Sequence, residues 1–522
     1  MPRTETARTT FTSTPTSSSG SQTKSPTTPS IISPVPNAPM AATDFPSVVL
    51  RLLRLFAAIP PLVSAAVFAS PPPPPEPRVV VEYWEKWTGF EAKAMEDIVA
   101  AFNVSQNRIE VRYSAVSQID LKLMLAIAGN RPPDVAGLWS FSLPAYVENN
   151  ALRPLGGLAR AHGVGASLYL DSVWTLCRYQ GWLWALPATP SSLALHWNKK
   201  LFREAGLDPE KPPASIGELE KFSERLARRE PPPGTGWRVL GHLPEEPGWW
   251  RSMWGYWFGG QLWDGTARIT ADSPGNRRAL AWVQSCPRNY GLREVSGFLE
   301  GFGNFASPQN AFIQNRVAMV LQGPWMWNFL KKYGDGDFEL GVAAFPREDG
   351  GTNPVTIVET DVLVIPAGAR HPREAFEFMA FVNRPENIER LCAAQCKFSP
   401  LAVVSESFWT KHPHPHIRVF YDLARSPEAR AAPQLATWSA YRNEMDQAVK
   451  ESWALRGAPE TALRGTQARM QSALDKRLSR WSRLVPKLEV DWTKIETADA
   501  QIRTATGAGG GGRTEREVKR HE

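Results

Sequence analysis

The sequence predicts an α/β protein of two lobes, each a β-sheet flanked by helices. The chain has 522 residues, which is too long for one ordinary hydrophobic core and favours two. Strand and helix patterns alternate from Val79 to Leu138, as in a parallel sheet covered by helices. The Pro- and Ser-rich segment 187–192 lies between two short apolar strands, where a chain can cross from one lobe to the next.

The two ends of the chain are predicted to lie outside this fold. Residues 1–50 are rich in Ser, Thr and Pro and form a disordered low-complexity extension. Residues 51–70 place two arginines before an apolar run that ends in Val-Phe-Ala, a pattern typical of an export signal. Residues 71–78 form a Pro-rich spacer, and residues 505–522 form a flexible tail. We therefore expect export to the periplasm or the extracellular face, with a membrane tether if the signal is not cleaved.

The first folded segment alternates strand and helix patterns. The predicted strands begin at Val79, Ile109 and Asp134, and helical stripes begin at Phe90 and Ile119. In open sheets of this kind, ligands lie beyond the carboxyl ends of the strands. Trp87 and Trp139 follow two of these strands, so both are candidates for a ligand site.

The rest of the chain supplies the second lobe and a return to the first. Its predicted elements are a capped helix from Ser215, strands at 338–345 and 359–366, a helix at 374–383, and helices from Tyr441 to about Arg483. We expect lobe 1 to comprise 79–188 and 343–390. Lobe 2 then comprises 193–338 and 397–485, including the C-terminal helices.

One corner of the sequence carries two tryptophans in a place that a turn usually fills with small residues. A buried strand from Val317 is broken by Gly323-Pro324, and Trp325 and Trp327 follow. Residues two apart on a helix do not share a face. We therefore expect one ring in the core and the other directed elsewhere.

The sequence excludes several classes of function. It has no nucleotide-binding loop, zinc spacing or serine-hydrolase motif. Its formal charge of +7 lies partly in the two ends, so we expect no nucleic-acid partner. His412-Pro-His-Pro-His416 could hold a metal, but its alternating prolines favour an extended surface loop, and we expect neither metal nor cofactor. Cys392 and Cys396 fall four apart on a predicted helix and are expected to be free thiols, although a disulfide between them remains open.

Four segments resemble a known family in the same order along the chain. They are AGNRPPDVAGLW (128–139), HWNKKLFREAGL (196–207), VAMVLQGPWMW (317–327) and VLVIPAGARHPREAFEFMAFV (362–382). The chain from Val79 to about Arg483 resembles extracellular solute-binding proteins of the sugar-transport type, the group that includes maltose-binding protein. One departure is Asn315, where the family usually has glycine.

The resemblance implies a periplasmic-binding-protein type II fold with a ligand cleft between the lobes. It implies a monomer that is not an enzyme, binds a sugar or oligosaccharide, and delivers it to an ABC transporter permease. By the family's pattern, Trp325 faces the cleft and Trp327 the core. The other candidate ligand residues are Glu85, Trp87, Trp139, Ser191, Trp250 and Trp438.

Two alternatives remain open at this stage. A secreted carbohydrate-active enzyme would place two carboxylates about 5–9.5 Å apart in the cleft. A binding protein for a non-sugar solute, such as a polyamine or a phosphodiester, would show an excess of carboxylates or of basic groups there. The sequence does not specify the sugar, its length or the permease.

Overall fold

A computed structural model describes residues 77–245, 248–348 and 351–501. The predicted extension, the export signal, the spacer up to residue 76 and the tail 505–522 lie outside the described residues. Within the described ranges, no helix is both long and apolar enough to cross a bilayer. The described chain forms two hydrophobic cores, each around one sheet, which we call lobe 1 and lobe 2.

Lobe 1 opens with the predicted alternation of strands and helices. Its first elements are β1 (Val79–Glu85), α1 (Gly89–Ser105), β2 (Ile109–Ala115), α2 (Ile119–Ala128) and β3 (Val135–Trp139). Shorter elements follow: α3 (Leu143–Glu148), α4 (Gly156–Ala161), α5 (Asp171–Trp174), β4 (Arg178–Tyr179), β5 (Trp182–Leu183) and β6 (Ala185–Ser192). β1 lies between β2 and β3 and runs parallel to both, so all three strands end at one edge of the sheet.

Lobe 2 begins directly after β6. Its elements are β7 (Ala194–Asn198), α6 (Lys199–Glu204), α7 (Ile216–Leu226), β8 (Arg228–Arg229), β9 (Trp237–His242), α8 (Pro274–Tyr290), α9 (Leu292–Glu300), β10 (Val317–Gln322), α10 (Met326–Tyr333) and β11 (Leu340–Ala343). The sheet order is β11-β7-β10-β9-β8. Asn315 has a φ of 56°, a left-handed conformation that asparagine tolerates and glycine prefers, which fits the departure seen in the sequence.

The chain then returns to lobe 1 along a single long strand. The remaining elements are β12 (Thr356–Val364), α11 (Pro372–Val382), α12 (Pro385–Ala394), α13 (Glu406–Lys411), α14 (Ile417–Ala424), β13 (Ala429–Arg430), α15 (Trp438–Trp453) and α16 (Pro459–Ala500). The expected return at residue 343 is too early. Phe345 and Val358 still pack in the core of lobe 2, and lobe 1 packing begins at Val362, because β12 itself passes from one core to the other.

The sequence predicted Cys392 and Cys396 on one helix, and this prediction is wrong. Cys392 lies within α12, whereas Cys396 lies beyond its last residue with a φ of 53°. Both are free and buried, and burial raises the pKa of each thiol. Buried thiols with raised pKa values are poor nucleophiles, so we assign these two a packing role.

The C-terminal helix α16 joins the two lobes. It has 42 residues and continues well past the predicted end of lobe 2 at residue 485. Its first half places Leu463, Met470 and Leu474 in the core of lobe 2. Its second half places Trp481 and Trp492 in the core of lobe 1. The helix is therefore shared between the lobes rather than belonging to lobe 2.

Several specific contacts hold the second half of α16 on lobe 1. The ring of Trp492 meets that of Trp184 edge-on, with centroids 4.7 Å apart. Asp499 accepts hydrogen bonds from Arg153 at 2.8 and 2.9 Å. These contacts make the end of α16 part of the structure of lobe 1.

Replacing Trp492 by alanine should therefore destabilise lobe 1, although the residue is far from β1 in sequence. We expect a loss of about 3–5 kcal/mol in the free energy of unfolding, the usual cost of a large aromatic cavity. Denaturant unfolding followed by circular dichroism measures it. Val490→Ala, on the same helix but 54% exposed, is the matched control and should change stability little. Equal effects of the two substitutions would contradict the packing role of Trp492.

Candidate functional site

A cavity of about 420 Å³ lies where the ends of the lobe 1 strands face lobe 2. It is lined from both lobes, and we call it the cleft. From lobe 1 and the segments that cross it come Lys86, Trp87, Thr88, Phe90, Glu91, Asp120, Trp139, Phe141, Ser191, Glu359, Asp361 and Lys397. From lobe 2 come Trp249, Phe305, Trp325, Phe329 and Arg442. A larger groove of about 840 Å³ lies on the outside of lobe 1 around Leu401 and Phe408, but it receives nothing from lobe 2.

Aromatic rings form the walls of the cleft. On the lobe 1 side, Trp139 and Phe141 are stacked with their planes 5° apart and their centroids at 5.9 Å. On the lobe 2 side, Trp325 packs beside Phe305, with centroids at 6.1 Å. Such rings offer flat apolar faces, while polar groups on the floor can fix the orientation of a ligand.

The corner after β10 directs Trp325 into the cleft. β10 ends at Gln322, and α10 begins only at Met326. A Cβ atom on Gly323 would lie 2.3 Å from the ring of Trp325, so only glycine leaves room for the ring to fold back there. The indole N–H of Trp325 donates to Gln322 at 3.2 Å, which fixes its rotation.

The sequence predicted that the second tryptophan of the corner, Trp327, would lie within the core, but it does not. Met326 and Leu330 are the buried residues of α10, whereas Trp327 is only half-buried. The indole N–H of Trp327 donates to the carbonyl of Pro413 at 2.8 Å. Trp327 therefore packs against the edge of the lobe 2 core and holds this loop, whereas Trp325 lines the cleft.

That loop contains the three histidines from 412 to 416. The sequence predicted an exposed surface loop, but the loop is packed against its neighbours. His414 is only 1% exposed, and His412 meets the carbonyl of Lys397 at 3.2 Å. Nδ1 of His412 and of His414 each accept a backbone N–H at 3.0 Å, so their lone pairs are already engaged. No group of metal-ligating side chains occurs within the described ranges. The loop supports the segment that carries Lys397.

The floor of the cleft is a buried ionic group centred on Asp361. Its two carboxylate oxygens accept from Lys86 at 2.9 Å and from Lys397 at 2.7 Å. Lys86 also contacts Glu85 at 3.1 Å, and Lys397 contacts Glu91 at 3.2 Å. We call Lys86, Asp361 and Lys397 the triad, and all three side chains are less than a tenth exposed.

The pKa values of these groups follow from burial and from their neighbours. Burial alone would raise the pKa of Asp361, but Lys397 and Lys86 lower it below its usual range. Burial likewise opposes the charge of Lys397, yet Asp361 and Glu91 raise its pKa. The triad is therefore ionised at neutral pH.

Glu359, two residues before Asp361, is in a different state. Burial raises its pKa most, and the nearby charge of Asp361 raises it further. One of its oxygens accepts from the backbone N–H of Ser140 at 3.2 Å. In the sheet, Glu359 lies opposite Ser191 and Asp361 lies opposite Trp139, so cross-strand pairing assembles the floor.

The structure brings together four of the seven residues predicted to contact ligand. Trp87, Trp139, Ser191 and Trp325 line the cleft. Glu85 lies directly beneath it, fully buried, where its carboxylate accepts from Tyr83 at 2.6 Å. A Cβ atom on Gly137 of β3 would overlap that carboxylate, so this glycine makes room for it.

Trp250 and Trp438 do not line the cleft. Trp250 is fully buried behind Trp325, with ring centroids at 6.4 Å, and its neighbour Trp249 lines the cleft instead. Trp438 is also buried, while Arg442, one turn later on α15, lines the cleft. Both predictions are wrong because these two rings are buried. For Trp250, the sequence gives no sign of which of two adjacent tryptophans faces outward.

Sequence reasoning missed most of the polar floor. The missed residues are Lys86, Glu91, Asp120, Glu359, Asp361, Lys397 and Arg442. Lys86 had a detectable signal, since a charged residue directly after a buried strand lies at the ligand edge of a sheet. Asp361 and Glu359 also had one, as two carboxylates within a run of strand-forming residues.

A family model described as bacterial extracellular solute-binding protein matches residues 88–389, more than half of the chain. The chain belongs to this family. This solute-binding protein is 23% identical over 426 residues to a binding protein of Brucella abortus (strain 2308), covering 79% of this chain and 97% of the relative. It is 19% identical to the sn-glycerol-3-phosphate-binding periplasmic protein of Pectobacterium atrosepticum, over 73% of this chain and 88% of the relative.

A solved structure shows the same fold. The protein named CpMnBP1, with mannotriose bound, superposes with a TM-score of 0.65 at 24% identity. The match covers 75% of this chain and 99% of that structure. The predicted two-lobed architecture of extracytoplasmic solute-binding proteins is thereby confirmed.

Removing the central charge of the triad should destabilise this solute-binding protein. Asp361→Asn leaves two buried ammonium groups without their shared partner, and we expect a loss of about 3–5 kcal/mol in the free energy of unfolding. Urea unfolding at neutral pH measures it. Glu110→Gln removes a surface carboxylate that pairs with Arg112 and should leave the unfolding midpoint nearly unchanged. A midpoint for Asp361→Asn equal to that of the wild type would contradict the structural role of the triad.

Proposed function

We propose that this protein binds a sugar or oligosaccharide in the cleft between its two lobes and delivers it to the permease of an ABC transporter. The observation that carries the proposal is the cleft itself, with aromatic walls on both lobes and a polar floor between them. Aromatic faces suit the C–H surfaces of sugar rings, and the floor offers acceptors and donors for hydroxyl groups. The fold-related CpMnBP1 binds mannotriose, which agrees with this proposal.

Binding from both lobes couples the ligand to the distance between them. Phe90 of lobe 1 already meets Phe329 of lobe 2 across the cleft, with ring centroids 6.4 Å apart. A ligand that contacts both walls stabilises the closed arrangement by its difference in affinity for the closed and open states. The permease then recognises the closed form. We propose that the protein acts as a monomer, outside the cytoplasm, after export through the segment 51–70.

The proposed function involves no chemical step. Asp361 and Glu85 are occupied by ion pairs with lysines, which leaves them unsuited to proton transfer. Glu359 and Asp120 are the cleft carboxylates with raised pKa values, the property of a catalytic acid, so they mark where an enzyme would act. Incubation with oligosaccharides tests this directly. We expect no products, and turnover abolished by Glu359→Gln would overturn the binding-protein proposal.

Binding should be visible as a rise in melting temperature. A ligand that binds only the folded state adds about 2.7 kcal/mol of stability at one hundred times its dissociation constant. We expect at least one member of a panel of mono- and oligosaccharides to raise the melting temperature in a thermal-shift assay. A panel in which only sn-glycerol 3-phosphate or polyamines gave a shift would support a non-sugar solute instead.

The two tryptophans of the corner should respond differently to substitution. Trp325→Ala removes a wall of the cleft, and sugar binding should weaken by roughly 1.5–4 kcal/mol, the range of an aromatic anchor. Trp327→Ala removes one hydrogen bond to the loop at Pro413 and should cost about 1 kcal/mol of stability with affinity retained. Calorimetric titration and denaturant unfolding of both variants measure the two quantities. Equal losses of affinity would show that Trp325 has no special place in the cleft.

A further inference from the structure

We propose that the preferred ligand carries a free, positively charged amino group, and that the cleft discriminates against phosphorylated and other anionic sugars. This inference rests on the proposed function and specifies the class of sugar. It follows from a comparison of which charged groups in the cleft are already occupied and which still have hydrogen-bonding capacity.

The two lysines of the floor have no capacity left for an anion. The ammonium group of Lys86 donates to Asp361, to Glu85 and to the carbonyl of Leu138, the last at 3.2 Å. The ammonium group of Lys397 contacts Asp361, Glu91 and the hydroxyl of Thr189, the last at 3.3 Å. A lysine has three N–H donors, so each is saturated by the protein. A phosphate group entering the cleft would have to break one of these buried pairs.

Arg442 is the remaining cation of the cleft. It lies on the lobe 2 side, where its guanidinium group sits 5.7 Å from the ring centre of Phe141. It makes no ion pair with another described residue. The cleft lining therefore contains one unpaired guanidinium group, compared with several carboxylate oxygens that can still accept hydrogen bonds.

The carboxylates of the cleft retain acceptor capacity. Oδ1 of Asp120 is buried and has no hydrogen-bond partner among the described residues. Glu359 is 8% exposed, and both contacts from Ser140 go to the same oxygen, Oε1. The ion pair of Glu91 with Lys397 is made through Oε1. These oxygens are therefore available to donors from a ligand.

Negative charge exceeds positive charge around the cleft. Four carboxylates line it together with three cations, and the carboxylate of Glu85 lies immediately beneath. Counted as groups, five carboxylates exceed three cations by two. Burial is the largest cause of the raised pKa of Glu359, and the charge of Asp361 raises it further while the two lysines only partly oppose it.

An ammonium group on the ligand would complete this arrangement. It donates up to three hydrogen bonds, and the open carboxylate oxygens of Asp120, Glu359 and Glu91 in the cleft lining are acceptors for such donors. It would also lie between aromatic faces, which attract cations. An anionic group at the same place would lie against these carboxylates, while the two nearby lysines are already paired with Asp361.

The test compares sugars that differ in one substituent. The wild-type protein is titrated by calorimetry with glucosamine, mannosamine and β-1,4-diglucosamine, and with glucose, mannose and cellobiose as the neutral counterparts. Glucose 6-phosphate and mannose 6-phosphate are the anionic probes. At about pH 6, an amine with a pKa near 8, as for an α-amino group, is cationic. We expect at least one amino sugar to bind roughly ten-fold or more tightly than its neutral counterpart, and the phosphates to bind weakest.

Variants identify the groups responsible for the preference. In Glu359→Gln the ratio of amino-sugar to neutral-sugar affinity should fall toward one, and Asp120→Asn should lower it independently if the first variant does not fold. Glu110→Gln, on the outer surface, is the matched control and should keep the wild-type ratio. A preference that survives both cleft substitutions would overturn the assignment.

The outcomes separate this inference from the proposed function. Neutral or phosphorylated sugars that bind as tightly as the amino sugars would overturn the charge preference and leave sugar binding in place. Binding of none of these sugars, nor of any in the thermal-shift panel, would overturn the proposed function and this inference with it.

Discussion

The buried triad of Lys86, Asp361 and Lys397 is the interaction on which the cleft depends. Its members come from directly after β1, the middle of β12 and the segment after α12, so the triad ties that last segment to two strands of the lobe 1 sheet. Burying three charges is unfavourable unless each finds its partners with good geometry. The triad satisfies that condition through Glu85, Glu91 and Thr189, and so fixes the three segments relative to one another.

The aromatic walls take their positions from this floor. Trp87 follows Lys86 in the chain, and Trp139 pairs with Asp361 across the sheet. The ammonium group of Lys86 lies 5.0 Å from the ring centre of Trp87 and 5.2 Å from that of Trp139. Lys86 therefore contacts both the carboxylates of the floor and the two tryptophan rings above it. On the opposite wall, Trp325 is held by its own corner and by Trp250 behind it.

The sequence was sufficient for the architecture and for the residues that directly follow strands. Trp87 and Trp139 could be placed because the ends of parallel strands meet at one edge of a sheet. Trp325 was placed by the resemblance of its corner to that of the family. The sequence could not decide between adjacent residues of the same type. Trp250 was predicted to contact ligand, whereas Trp249 lines the cleft. Lys86 and Asp361 each had a local signal, but their pairing in the triad could not be predicted, since they are far apart in the chain and no periodic pattern relates them. For the C-terminal region, the sequence predicted helices from Tyr441 to about Arg483 within lobe 2, but not that α16 would continue to Ala500 and be shared by both lobes.

The path of α16 also has a consequence for the order in which the molecule can be completed. β1 is made early, whereas Trp492, which closes the core of lobe 1, is made late. At roughly 5–20 residues per second, ribosomes need tens of seconds to cover the interval. During that time the first lobe lacks the aromatic side chains that cover its outer face. The core of lobe 1 therefore stays incomplete until residue 492 has been synthesised, a state in which it is a suitable substrate for chaperones.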